Sequence, residues 1–317
     1  AGVDTIVDIV GAIVGLKLLG IERLYCAPLP VSHGYIQTAH GTLPVPPPAE
    51  NRRILIVDDN PSIHDDFKKI LPSRARQASH LDALLEELHL FASRKGSMVG
   101  PVTIRDSGDT IDLRRMGSGG WAVPSIVEEN VIQFGRHEAR YVLLIEKDAV
   151  WSRFNEDKYW RRERCIILQG GGQPPRGVRR LVQRLHRELG LPVYVLVDND
   201  PWGFYIYSVM KQGSINLAYE SMRMAVPDAR FSGLSSFDKV TYKLPSNVAI
   251  KMDDGDVARA KQMLAYPWFQ AKQWQQEIQE MIRSGVKYEL EALSRRGISF
   301  ITEEYLPTKL KEKDWIA

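Results

Sequence analysis

Three carboxylates have the types and spacing that could do chemistry: Glu146, Asp198 and Asp200. The last two close the stretch LPVYVLVDNDPWG, residues 191–203. Val193 to Val197 read as a buried strand, Pro201 and Gly203 stop it, and an aromatic-rich helix follows. On a strand, residues i and i+2 share a face, roughly 6–7 Å apart. Like charges brought to ~4 Å at an effective dielectric of ~20 repel by ~4 kcal/mol. A strand end that gathers negative charge in this way faces open water or holds a cation. Hard divalent ions such as Mg²⁺ favour such oxygen ligands and keep several waters. Asn, Asp, Pro and Gly are also the residues of a plain turn, so the Asp pair alone leaves both readings open.

The elements around the pair narrow the choice. ARYVLLIE reads as a buried strand ending at Glu146, and a helical stretch from Ala149 to Arg164 carries Trp151, Phe154 and Trp160. RCIILQ is a second strand, GGGQPP a loop, Gly177 to Leu189 a helix, and VYVLV the third strand. Phe204 to Ala225 reads as a helix broken near Gly213, and DARFSGLS as a fourth strand. This alternation over residues 139–235 predicts an α/β fold, a parallel sheet with helices on both faces. Right-handed crossovers bring the carboxyl ends of the strands to one edge, where such sheets bind ligands. Glu146, Asp198 and Asp200 are thereby predicted to meet at that edge and to ligate Mg²⁺, with Glu146 also in reach of acid–base work.

The helix RGVRRLVQRLHREL has an apolar stripe of Val178, Leu181, Val182, Leu185 and Leu189. Arg176, Arg179, Arg180, Arg184 and Arg187 cover the rest, with Arg161, Arg162 and Arg164 upstream. A solvated charged face is the ordinary reading. One sign dominates, however, and beside a metal edge that suits a phosphate backbone. Arg176, Arg179, Arg180 and Arg184 are therefore candidate contacts to double-stranded DNA.

Composition sets wide limits. The 317 residues carry 42 Lys and Arg against 39 Asp and Glu, a net charge of +3, which permits nucleic acid without requiring it. Cys26 and Cys165 form no metal spacing, and a reducing, cytoplasmic compartment is expected. The most apolar run, Ile6 to Gly20, carries Asp8 and Lys17 and is shorter than the ~20 residues a membrane span needs. No membrane partner is expected.

The N-terminal part has a different character. Ile6, Ile9, Val10, Ile13 and Val14 repeat at helical spacing, a short strand runs from Leu24 to Cys26, and Pro44 to Pro48 read as an extended linker. His33 and His40 lie in a Gly- and Pro-broken loop without a third ligand. The run DTIVDIVGAIVGLKLLGIERLYCAPLPVSHGYIQTAHGTLPVPPPA resembles an interior stretch of the nickel-insertion protein that matures the pincer cofactor of lactate racemase. RRILIVDDNPSIHDDFKKIL resembles the first strand and helix of a response-regulator receiver domain, with Asp58 and Asp59 at the strand end. A receiver needs about five such units and this chain supplies one, so a grafted strand and helix is the expected structure. Beyond it, Leu81, Leu84, Leu85 and Leu88 predict a helix through Arg94. VGPVTIRDSGDTIDLRRMGSGGWAVPS predicts short strands and turns.

From about residue 80 to the end a longer resemblance is carried by several motifs. They include GDTID, GSGGWAVPS, IEKDAVWSRFNEDKYW, QGGGQPPRGVRRLVQRLH, LPVYVLVDNDPWGFYIYSVMKQGSINLAYESM, ARFSGLSSFD and LEALSRRGISFITEEYLP. They resemble the A-type chain of type IIB DNA topoisomerase, topoisomerase VI, kin to the meiotic double-strand-break protein. The resemblance implies a Toprim domain joined to a winged-helix domain. It also implies a metal-dependent isomerase that cuts and reseals duplex DNA as a homodimer, with a separate ATPase B-type subunit. It assigns Mg²⁺ to Glu146, Asp198 and Asp200. No Gly-x-x-x-x-Gly-Lys-Ser/Thr phosphate loop occurs here, in keeping with an ATPase on another chain.

One departure matters. That family's nucleophile is a tyrosine in an Arg-Glu-x-Tyr-Tyr type motif of the winged helix, and no such motif is found. Tyr25 in ERLYCAP is the candidate that remains, in surroundings that match the nickel-insertion resemblance. The expected division is a nickel-insertion-like segment and linker over 1–49, a receiver-like piece over 50–71, a connector over 72–138, and a Toprim-like domain with a helical extension over 139–317. The first two pieces stand where the winged helix belongs. The leading expectation is an A-type subunit lacking the strand-cleaving tyrosine. Its rivals are a non-catalytic metal-dependent DNA-binding module, a nickel-cofactor maturation protein and a phosphorelay receiver.

Overall fold

The computed structural model describes residues 94–213 and 223–316, and the backbone of short strands at Tyr35–Thr38, Gly41–Pro44, Leu55–Ile56 and Phe91–Ala92. The chain divides into two compact units, Ala1–Ser93 and Arg94–Ala317. In the first, Tyr35–Thr38 pairs antiparallel with Gly41–Pro44, and Leu55–Ile56 pairs parallel with Phe91–Ala92. Leu55–Ile56 lies within the ILIV run, where a strand is expected. Phe91–Ala92 is strand where leucine spacing predicts the end of a helix. The expected N-terminal helix, Tyr25, His33, His40, the Asp58/Asp59 pair and the leucine-spaced positions 81–88 lie outside the described residues.

The second unit begins with β1 (Ser97–Val99), β2 (Val102–Asp106), β3 (Asp109–Asp112), β4 (Trp121–Ala122) and β5 (Ile132–His137). There follow β6 (Tyr141–Ile145), α1 (Asp148–Glu156), α2 (Tyr159–Arg162), β7 (Cys165–Gln169), α3 (Arg176–Leu189), β8 (Val193–Leu196), α4 (Pro201–Gln212) and β9 (Arg230–Phe231). The chain continues through α5 (Asp238–Thr241), β10 (Ile250–Lys251), α6 (Asp254–Met263), α7 (Lys272–Ser284), β11 (Val286–Lys287) and α8 (Leu306–Glu312).

The central sheet has the order β9-β8-β6-β7-β1-β4. Its β9-β8-β6-β7 half is parallel, as the alternation of elements predicts, and β1 and β4 extend it antiparallel. The two added strands come from the stretch expected to be a connector, so the sheet crosses the boundary expected at 138/139. The rest of that stretch forms an antiparallel sheet, β3-β2-β5.

The strands of the parallel half are apolar at nearly every position because both faces are covered. Alternate residues serve opposite cores. Val142, Leu144, Ile166, Leu168, Val193 and Val195 pack with Val178, Leu181, Val182 and Leu185 of α3 and with Phe204, Trp274 and Ile278. Leu143, Ile145, Ile167, Tyr194 and Leu196 pack with Trp151, Phe154, Trp160, Leu290, Tyr305 and Leu306. The single helix expected from Ala149 to Arg164 is two: Lys158 adopts a left-handed conformation, φ 50°, which separates α1 from α2.

Candidate metal and nucleic-acid edge

Sheet register delivers the first two carboxylates. Ile145 of β6 stands opposite Leu196 of β8, and the Glu146 N–H donates to the Leu196 carbonyl at 3.0 Å. Continuing one residue on β6 and two on β8 brings Glu146 and Asp198 side by side. The Asp198 N–H donates to Glu146 Oε2 at 3.1 Å.

Asp200 is held differently. It caps α4, its Oδ1 accepting from the Gly203 N–H at 2.6 Å, with Pro201 in the first helical turn. Gly203 has no room for a side chain: a Cβ there would lie 2.5 Å from the Asp198 carbonyl oxygen and 3.2 Å from Asp200 Oδ1. Between the aspartates, Asn199 is fixed from both sides. Its N–H and carbonyl exchange hydrogen bonds with the Tyr288 backbone at 2.9 and 3.0 Å. Its amide donates at 3.0 Å to Glu277, a fully buried carboxylate that also accepts from Ser236 N–H at 2.6 Å and Ser235 Oγ at 2.7 Å. The turn carrying Asp198 and Asp200 is thus clamped to α7 and to the strand leading out of it.

The electrostatics are those of a crowded acidic edge. Burial pushes the Glu146 carboxyl up to about 7, with the neighbouring Asp198 charge adding and the Asp198 N–H opposing. Burial likewise lifts Asp198 to about 6, against the Leu290 N–H, which donates to Oδ1 at 2.8 Å, and Lys147. Burial raises Asp200 too, opposed by the Gly203 N–H and by Lys287. Lys147 Nζ lies 3.0 Å from Asp198 Oδ2, 3.4 Å from Glu289 and 2.9 Å from Glu291. Lys287 pairs with the buried Asp256 at 2.7 Å.

A donor set of two or three partly buried carboxylates whose negative charges raise one another suits a hard divalent cation. Among the described residues no group of three or more His, Cys, Asp or Glu side chains stands ready-made as a metal cage. Both Asp198 oxygens are engaged, one by the Leu290 N–H and one by the Lys147 ammonium. The donor chemistry fits such an ion, and the Lys147 ammonium holds one of the Asp198 oxygens.

The arginines of α3 are a correction. They do not form a solvated basic face. Arg179, Arg180 and Arg184 are 6%, 4% and 1% exposed. Arg180 forks onto Glu128 at 2.8–3.2 Å and donates to Gln183 and the Arg223 carbonyl. Arg184 pairs with Glu188, donates to the Val127 and Ile132 carbonyls, and lies over the Phe134 ring at 4.7 Å. Glu128 also meets the Arg176 guanidinium at 3.6 Å and that of Arg223 at 2.9 Å. Burial alone would raise Glu128, but Arg180, Arg223 and Arg176 outweigh it and hold the carboxyl below its ordinary value. The helix reads as single-signed because its counter-charge, Glu128, is more than 45 residues upstream in sequence. The guanidiniums of Arg180 and Arg184 join α3 to the segment before β5.

Lys147, Asn199, Glu277, Glu289 and Glu291 also build the edge, and the sequence did not single them out. Lys147 and Asn199 stand beside residues that it did. Nothing local marks Glu277 or the Glu289/Glu291 pair, since their role arises from the approach of remote segments.

Comparison with known proteins places the two segments of this unit in families. The Toprim domain of the family that joins the A-type chain of topoisomerase 6 and Spo11 matches residues 141–310. The all-beta domain in the alpha chain of DNA topoisomerase VI matches residues 95–138, the segment of β1 to β5. A third family, Nickel insertion protein, matches residues 1–57. The chain is 43% identical over 242 residues to the A-type chain of type 2 DNA topoisomerase 6 from Hyperthermus butylicus, covering 74% of this chain and 62% of that protein. It is 44% identical over 242 residues to the corresponding chain from Pyrococcus horikoshii, covering 73% of this chain and 63% of the relative. It is 37% identical over 232 residues to the A-type chain of DNA topoisomerase 6 from Arabidopsis thaliana, covering 72% of this chain and 53% of the relative. The chain therefore spans little more than three fifths of the archaeal relatives it matches.

Proposed function

We propose, from the premise that this chain belongs to the Toprim family of topoisomerase 6 A-type chains and Spo11, that it is an A-type subunit of a type IIB DNA topoisomerase whose metal and DNA edge is built by Glu146, Asp198 and Asp200. The observation that carries the reading is the meeting of Glu146 and Asp198 across β6 and β8, with Asp200 capping the next helix. Mg²⁺ is the ion this oxygen set suits, and when bound it would supply charge stabilisation on a DNA phosphate and its leaving oxygen. The chain's own residues orient that edge: Glu277 and Asn199 fix the Asp turn, Gly203 lets the helix approach it, and Glu146 holds the Asp198 backbone.

With Arg179, Arg180 and Arg184 of α3 buried, a more exposed contact to duplex DNA fits better. Trp202 is 49% exposed and lies on the first turn of α4, the helix that Asp200 caps. The Arg259 guanidinium stacks over its ring at 3.7 Å. This pair gives the edge a cation and an aromatic face. Two copies of the chain and an ATPase B-type subunit would complete the machine, working in the cytoplasm. Among the described residues no helix is long and apolar enough to cross a membrane.

No Arg-Glu-x-Tyr-Tyr type motif occurs in these 317 residues. The chain is accordingly expected to bind DNA with Mg²⁺ and to form no covalent tyrosine–DNA link, even with an ATPase partner. Denaturing capture on supercoiled plasmid tests this. Covalent complexes that vanish in Tyr25→Phe would show a competent nucleophile in the N-terminal segment. Absence of Mg²⁺-dependent DNA binding would remove the topoisomerase reading. For residues 1–57 a second reading follows from their family match, a part in nickel-cofactor maturation, and nickel titration of the chain tests it.

A further inference from the structure

We propose that Lys147 is a built-in counter-cation of the carboxylate edge, a positioning residue that leaves Asp198 for Glu289 and Glu291 when a divalent ion takes Asp198. The inference rests on the metal reading above and adds the step by which the edge opens.

Three observations carry it. Asp198 is almost fully buried, its side chain 6% exposed, and needs a partner at all times because water cannot solvate it. Lys147 is that partner at 3.0 Å, and with the Leu290 N–H it engages both Asp198 oxygens. An incoming divalent ion must displace the ammonium, since two cations at one carboxylate repel.

The displaced ammonium needs somewhere to go. Glu289 and Glu291 flank Leu290, the residue whose N–H clamps the other Asp198 oxygen. One turn of chain thus supplies both the clamp and an alternative berth. Those two carboxylates already touch Lys147 at 3.4 and 2.9 Å, and they are 52% and 47% exposed, so they can hold a cation without burying it. Lysine suits the exchange: its charge is a point on a flexible four-carbon stem, and no planar fork fixes its direction.

The test is Mn²⁺ binding by the full chain, read by electron paramagnetic resonance as loss of the free-ion signal. It compares the native chain, Lys147→Met, Glu289→Gln/Glu291→Gln, and all three substitutions together, with thermal melts to confirm folding. Lys147→Met should tighten Mn²⁺ by roughly tenfold or less, the ammonium being partly screened by solvent. Glu289→Gln/Glu291→Gln should weaken it several-fold in the native background and hardly at all once Lys147 is gone. Lys147→Gln stands in if the Met variant does not fold. Unchanged or weaker binding in the Lys147 variants overturns the proposal. So does an effect of the Glu pair that is the same with and without Lys147, which is what a simple field effect gives. A native chain that binds no Mn²⁺ overturns the metal reading itself, an outcome distinct from these.

Discussion

The backbone N–H of Asp198 points at Glu146 Oε2, 3.1 Å away, so a strand end on β6 and a strand end on β8 are tied through a carboxylate that is itself a proposed metal ligand. The two groups cannot be treated as independent: Glu146 sets the position of the residue that follows Val197, and the Asp198 charge acts back on Glu146.

A direct prediction concerns the metal. Glu146→Gln and Asp198→Asn each keep the shape of the edge and remove one charge. Each should weaken Mg²⁺ binding by about tenfold or more, the scale of one lost close charge–charge contact, while the chain stays folded. Isothermal titration of the three proteins checks it. Equal affinity in all three would place the ion elsewhere.

Glu128 gives a pH prediction. Its folded-state proton affinity is lowered by Arg180, Arg223 and Arg176 despite burial. A carboxyl depressed in the fold contributes stability that is present above its unfolded value of about 4.5 and lost as pH falls through the lower folded value. Urea midpoints of the native chain should drop across that acid window. Glu128→Gln should be less stable at pH 7, by a few kcal/mol if the buried Arg180 charge is left unanswered, and its midpoint should change less below pH 4.5. Parallel pH profiles for the two proteins would show that the arginine cluster does not carry this charge.

Much of this was legible in the sequence. The β-α-β order and the buried strands at Tyr141–Ile145, Cys165–Gln169 and Val193–Leu196 follow from continuous apolar runs bounded by turn residues. The meeting of Glu146 and Asp198 follows from parallel register. What was not legible depends on segments distant in the chain. Antiparallel β1 and β4 joined the sheet from a stretch whose short strands gave no sign of their partners. The arginines of α3 read as a surface because a helical wheel shows which residues share a face and not what that face meets. Glu277 reads as one polar position in KQWQQEIQEM, yet it is 1% exposed and receives three hydrogen bonds.

DNA contact is predicted at Trp202 and Arg259 and not on α3. Arg259→Ala should lower DNA affinity at every sequence tested and reduce the log–log salt slope by about one, the signature of one lost phosphate contact. Arg184→Met should reduce thermal stability, since it strips the Val127 and Ile132 carbonyls of their Arg184 donor and Glu188 of its closest one. The folded fraction of that variant should keep the native salt slope. A slope that falls in Arg184→Met and holds in Arg259→Ala would return the DNA face to α3.

The last prediction separates the geometry of the Asp turn from its charge. Gly203→Ala adds one methyl group and no charge. That methyl would meet the Asp198 carbonyl oxygen at 2.5 Å, a backbone atom that cannot swing aside. Either α4 backs away from the turn or the turn shifts, and both moves stretch the Gly203 N–H to Asp200 bond, now 2.6 Å. Loss of that cap costs about 1 kcal/mol, and overpacking adds about 1–3 kcal/mol. The variant should therefore melt lower than the native chain and bind Mg²⁺ more weakly at a temperature where it is still folded. Ser208→Ala lies on the same helix, and its hydroxyl bonds only the Tyr205 carbonyl among the described contacts, so it serves as a control that should leave Mg²⁺ binding unchanged. If Gly203→Ala melts lower yet binds Mg²⁺ as tightly as the native chain, the close approach of α4 serves packing alone and Asp200 does not need its cap to reach the ion.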